Sequence, residues 1–111
     1  MIKLWKCSVC GMINKGDEIP DFCPKCGAPK EKIDFMSDED AQKVIASDRT
    51  NDIHMAITKL AMEIVELAKE GIKIDLDPPC VALFKQAKDE AWIIKQRSKA
   101  EIAGHVSRGK W

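Results

Sequence analysis

The residues best suited to chemistry are four cysteines in two pairs. Cys7-Ser8-Val9-Cys10-Gly11 is one Cys-x-x-Cys-Gly segment, and Cys23-Pro24-Lys25-Cys26-Gly27 is another, with twelve residues between the pairs. Two such pairs can deliver four thiolates to one tetrahedral ion, and a soft four-sulfur cage suits zinc or iron and little else. The two-residue spacer lets the chain wrap one face of the ion, so both sulfurs of a pair reach it at about 2.3 Å. Gly11 and Gly27 follow the second cysteine of each pair, where the backbone needs a positive φ that glycine takes cheaply. Pro24 presets φ inside the second turn. The metal ligands expected are therefore Cys7, Cys10, Cys23 and Cys26.

The elements that must hold these sulfurs are short. With 111 residues the chain is one ordinary domain, or a small metal module plus a helical unit. The division expected is residues 1–36 for the metal module and 37–111 for a helical hairpin. So short a module cannot bury enough apolar surface to fold unaided and needs a metal, a disulfide or a partner. Leu4, Trp5, Val9, Met12, Ile13, Ile19, Phe22, Ile33 and Phe35 are its candidate core around the site.

Charge narrows the function. Lys+Arg and Asp+Glu both number 18, and this balance gives no sign of a nucleic-acid or acidic-lipid partner. No segment approaches the roughly 20 apolar residues that span a bilayer. Cys7 arrives before any signal-peptide core could form, so export is not expected and the cytoplasm is the default. Thiols stay reduced there, which favours metal binding or redox chemistry over structural disulfides.

Trp5-Lys6-Cys7-Ser8-Val9-Cys10-Gly11 and Glu18-Ile19-Pro20-Asp21-Phe22-Cys23-Pro24-Lys25-Cys26-Gly27 resemble the rubredoxin domain. The short loop between the pairs, and Ala28-Pro29-Lys30 followed by Phe35, are most similar to the compact rubredoxin-like domain at the end of rubrerythrins. The resemblance covers about a third of the chain, and Met12 departs from it where the family often has an aromatic. It implies one iron on Cys7, Cys10, Cys23 and Cys26, exchanging one electron with redox protein partners. An iron–thiolate cage keeps nearly one geometry in both oxidation states, and its surroundings tune the potential. Zinc suits the same ligands, so a zinc-ribbon interaction module is the alternative.

The rest reads as helix. Ser37 caps a start rich in Asp38, Glu39 and Asp40. The polar stretch Ala46–Asp52 reads either as a break between two helices or as a solvated turn of one. Ile53, Ile57, Leu60, Ile64 and Leu67 then form a stripe, widened by Met55, Ala56, Ala61, Met62, Val65 and Ala68. Gly71 is the expected stop, with Ile72–Asp77 extended. Asp77 then caps a second helix entered through Pro78 and Pro79, which frays at Ser107–Trp111.

The fold class expected is α+β: a small rubredoxin-like β module followed by an antiparallel helical hairpin. The apolar belts are wider than one neighbour covers, so a homodimer or higher oligomer forming a four-helix bundle is expected. Rubrerythrins also carry a di-iron bundle built on Glu-x-x-His, and no such motif occurs here. A peroxide- or oxygen-scavenging oxidoreductase is the further alternative. It would need an unrecognised site, such as Glu63, Glu66 and His54 assembled from two chains. His54 and His105 read as ordinary core or surface histidines, and Trp92 and Trp111 as packing and interface aromatics. Cys80, in the first turn of the second helix, reads as a small buried hydrophobe, or as a thiol whose pKa the helix end lowers.

Overall fold

The computed structural model describes residues 2–111. Two compact units divide the chain, the first ending at Ile45 and the second running Ala46–Trp111. In the first, strands β1 (Leu4–Cys7), β2 (Ile13–Lys15) and β3 (Ile33–Phe35) form an antiparallel sheet of order β2-β1-β3. Trp5 lies opposite Asn14 on one side and Phe35 on the other, and Cys7 lies opposite Ile33. A 3-10 turn at Lys30–Lys32 delivers the chain into β3. The central strand buries Leu4, Trp5 and Cys7 and exposes Lys6, so its buried face ends on a site cysteine.

The core of this unit is Trp5, Cys7, Cys23, Ala28 and Ile33, with Cys10, Met12 and Ile19 packed against it. Three residues expected to join it are exposed instead. Val9 is 63% exposed, Phe22 66% and Phe35 42%. Val9 rides on the outside of its turn, and Phe35 shares the face of buried Ile33 but sits at the end of β3, where the Lys3 ammonium covers its ring at 5.2 Å.

Helix α1 runs Asp38–Ile74 without a break. Ser37 Oγ accepts from the Asp40 N–H at 3.2 Å, and three acids occupy the first turn. The polar stretch near residue 50 does not interrupt it, because Ser47 and Asn51 are buried within the helix rather than turned to water. Gly71 is not the stop, and Ile72–Ile74 are helical rather than extended. The left-handed residue at the end is Asp75, φ 53°. Gly71 instead makes room for a neighbour, since a Cβ there would lie 2.4 Å from the Phe84 ring. Helix α2 (Pro78–Ser107) starts as its sequence indicates, with Asp77 Oδ1 accepting the Cys80 N–H at 2.8 Å. Its end is closed rather than frayed. Gly109 turns left-handed at φ 72°, and the Lys110 N–H donates to the His105 carbonyl at 2.8 Å.

The two helices pair as a hairpin. Gly71 meets Phe84, Ala61 and Val65 cluster with Ala91, His54 reaches Ser98 and Asn51 reaches His105. Positions fall along α1 as they rise along α2, so the pair is antiparallel. Partners on α2 recur every seven residues, the period of helices packed side by side. Small side chains fill one end of the contact and a polar layer fills the other. In that layer the Asn51 Nδ2 donates to the Lys110 carbonyl at 2.7 Å, while Asn51 Oδ1 lies 2.5 Å from His105 Nδ1. The carboxamide oxygen only accepts, so His105 carries its proton on Nδ1. Among the described residues, no helix is long and apolar enough to cross a membrane.

Candidate metal centre

The two cysteine turns are built alike. In the first, the Cys7 N–H donates to the Met12 carbonyl and the Gly11 N–H to the Cys7 carbonyl, both at 2.9 Å. In the second, Cys23 donates to Ala28 and Gly27 to Cys23, again at 2.9 Å. Gly11 and Gly27 take φ of 80° and 76°, a region that costs a side-chain-bearing residue energy. Each turn is held from outside as well. Ser8 reaches the Lys32 carbonyl through its N–H and its hydroxyl, and Phe22 bridges to Pro29.

This scaffold brings Cys7, Cys10, Cys23 and Cys26 together. All four Sγ atoms lie within 4.8 Å of one another. The Cys7–Cys26 sulfurs are 3.7 Å apart and the Cys10–Cys23 sulfurs 3.6 Å. A tetrahedron with bonds of about 2.3 Å has edges of about 3.8 Å, so the quartet already has the size of a metal cage. A disulfide needs about 2.05 Å, and these sulfurs are far outside it. Cys7 is fully buried and Cys26 exposed, so the cage opens to the surface on one side.

The electrostatics call for a cation. The N–H groups of Cys10 and Val9 hold the Cys7 thiol below its ordinary range. Those of Cys26 and Lys25 lower Cys23 from 9.0 to about 6. Cys26 receives the Ala28 N–H, yet burial and the three neighbouring sulfurs outweigh it and push this thiol up to about 12. Four thiols this close cannot all ionise unaided, whereas a multivalent ion keeps every coordinating sulfur deprotonated. Spacing, sulfur geometry and donor type all fit a thiophilic metal.

Residues 5–34 match the family model for the rubredoxin-like domain of rubrerythrin. This stretch is a rubredoxin-like domain. Reverse rubrerythrin-1 of Clostridium acetobutylicum is 47% identical over 38 residues, 34% of this chain. The shared stretch is 21% of that relative, so the chain matches about a fifth of its length. No solved structure matches the chain. The rubredoxin-like domain thus carries a four-cysteine metal site, and the family match ends before the hairpin.

The other candidate residues lie on the hairpin. Among the described residues, the cysteine quartet is the one group of three or more ligand-type side chains within reach of a shared ion. Glu63 and Glu66 are exposed, and Glu66 takes Lys69 at 3.3 Å. His54 turns to Ser98 Oγ at 3.2 Å and stands 6.2 Å from the His105 ring, centre to centre. That pairing was invisible in sequence, because 51 positions separate the two rings and no motif links them. The Cys80 thiol is raised, not lowered: Asp77 accepts its hydrogen bond, burial adds to this, and the carboxylate repels the thiolate. The capping carboxylate outweighs the helix end. Trp92 is exposed beneath the Lys95 ammonium, 3.9 Å from its ring centre.

Proposed function

We propose that this chain is a one-electron carrier with a single iron held by Cys7, Cys10, Cys23 and Cys26. The observation that carries the reading is the quartet itself, with sulfurs already spaced as tetrahedron edges inside a rubredoxin-like domain. Iron bound there supplies a Fe(III)/Fe(II) couple. The protein's share is a rigid cage. The paired turns, positive-φ glycines and sheet anchor fix the sulfurs, so little rearrangement opposes electron exchange. Backbone N–H groups aimed at Cys7 and Cys23 stabilise negative charge on sulfur and set the potential. Trp5 and Ile33 keep water from the inner side.

The outer side is where redox protein partners dock. Cys26 is exposed there and Cys10 half-buried. Val9 and Phe22, in and beside the cysteine turns, expose apolar surface that a partner can cover. The compartment is one that keeps thiols reduced, which points to the cytoplasm.

The test is metal analysis with an absorption spectrum, on full-length protein produced iron-replete and zinc-poor. One iron per chain is expected, with thiolate-to-iron bands that bleach on addition of one electron equivalent and return on oxidation. A colourless protein holding one zinc refutes the reading in favour of a structural zinc site. More than one iron per chain refutes a simple carrier in favour of an oxidoreductase.

A further inference from the structure

The polar end of the hairpin brings the chain's two histidines together. His54 on α1 and His105 on α2 are half-buried, with ring centres 6.2 Å apart and planes inclined at 68°. Each ring is tied to the opposite helix through Nδ1 alone, His54 to Ser98 Oγ at 3.2 Å and His105 to Asn51 Oδ1 at 2.5 Å. Both Nε2 atoms are left unused. Among the described residues, the one buried side-chain nitrogen or oxygen without a partner is Thr58 Oγ1, so both Nε2 atoms open to water. The contacts that join the helices therefore account for one nitrogen of each ring and not for the other.

We propose that His54 Nε2 and His105 Nε2 together bind one borderline divalent cation, of the nickel, copper and zinc class, with water completing its shell. The tautomers suit this. The Asn51 carboxamide oxygen only accepts, so His105 carries its proton on Nδ1 and a lone pair on Nε2. Ser98 Oγ can accept from the His54 Nδ1–H in the same way. An oxygen partner at Nδ1 fixes the ring and raises the basicity of the other nitrogen, which is how a metal-binding histidine is held.

The spacing suits it as well. An imidazole nitrogen sits about 2.0–2.1 Å from its metal, so two rings on one ion have centres about 5–6 Å apart, according to the angle between them. The observed 6.2 Å is at the wide edge of that range, within a small side-chain adjustment. Two neutral imidazoles favour nickel, copper and zinc. Among the described residues, no third ligand-type side chain joins them within reach of a shared ion, so the site is open and its ion exchangeable, unlike the cysteine cage. Iron(II) ranks below nickel and copper on such ligands. It washes out of this site, and the iron count that tests the electron carrier is unaffected.

The inference stands apart from the choice of metal in the cage. Untagged full-length protein, its cage filled with one equivalent of zinc, is titrated with nickel(II) and followed by calorimetry and by proton NMR of the histidine rings. One nickel per chain is expected, with a dissociation constant of about 10 μM. The signals of both histidines should broaden together as nickel binds, while zinc stays at one per chain. His54→Gln and His105→Gln should each raise the constant by about tenfold or more. Cys80→Ser should bind as wild type does, because that thiol lies in the first turn of α2, at the other end of the hairpin. Sedimentation velocity should show a single chain with and without nickel, since one chain supplies both ligands. Absence of binding up to about 1 mM nickel overturns the inference. So does binding that survives loss of both histidines or fails in Cys80→Ser. Broadening of one histidine alone, zinc lost as nickel is gained, or pairing of chains by nickel overturns it too. Should a histidine substitution lose helix by circular dichroism, the wild-type ring signals carry the test, since the chain has no other histidine.

Discussion

Replacing Gly71 with alanine sets two effects of opposite sign against each other. In an isolated helix interior, alanine is favoured over glycine by about 1 kcal/mol. In this hairpin the added methyl would fall 2.4 Å from Cδ2 and Cε2 of Phe84 and 2.9 Å from its Cγ. Carbon atoms pack at about 3.5–4.0 Å, so the overlap exceeds about 1 Å and involves the body of a ring rather than a flexible tip. Either Phe84 leaves its rotamer or the helices part near the turn. Parting them would loosen the contact that Ala61 and Val65 make with Ala91. Overpacking of this kind costs about 1–3 kcal/mol. We expect Gly71→Ala to be destabilising by about 1–2 kcal/mol, a fall in midpoint of several degrees for a unit of this size. Thermal and urea unfolding followed by far-UV circular dichroism measures it. Adding Phe84→Leu in the same chain should recover much of the loss by giving the methyl room. A Gly71→Ala variant more stable than wild type would show that helix propensity governs here and that the close approach does not matter.

Three further outcomes are expected. Asp77→Ala should cost about 1 kcal/mol through loss of the cap, whereas Asp77→Asn should keep most of it. Both should bring the Cys80 thiol back toward its ordinary pKa, read as faster alkylation at mildly alkaline pH. Asn51→Ala leaves the His105 Nδ1–H and the Lys110 carbonyl without their partner. It should destabilise the hairpin by about 1–3 kcal/mol in urea unfolding. Acidification should release the metal. Cys23 has its pKa depressed from 9.0 to about 6, so its contribution is present above the unfolded value and is lost as pH falls through about 6. Bound metal holds the thiolates further still, so absorbance should persist through about pH 6 and be lost only at lower pH, returning on neutralisation.

The metal cage was legible because its determinants are local. Each turn is a run of five residues whose spacing, glycine and backbone donors need no distant partner. The helix caps at Ser37 and Asp77 were legible for the same reason. What escaped the sequence depended on packing between segments far apart. Gly71 looked like a stop because glycine often is one; Phe84, thirteen positions on, is what requires it. Ser47 and Asn51 looked like a solvated interruption, yet they are buried inside α1. The stripe from Ile53 to Leu67 and the line through Ala61, Val65 and Ala68 read as one wide apolar belt, with nothing local to say which side meets the second helix. The contact is made by Ala61, Val65 and Ala91, whose small side chains let two backbones approach.

The polar layer around Asn51 and His105 has a consequence for the folding of the hairpin. A contact lined only with alanine and valine is nearly uniform along its length, so sliding one helix by a turn, about 5.4 Å, would change little. With His105 keyed to Asn51 and Ser98 keyed to His54, the same slip would strand several polar groups among methyls, each at a cost of about 1–3 kcal/mol. The layer works as a vernier. It adds little to how firmly the rods adhere and much to the fact that they adhere in a single alignment.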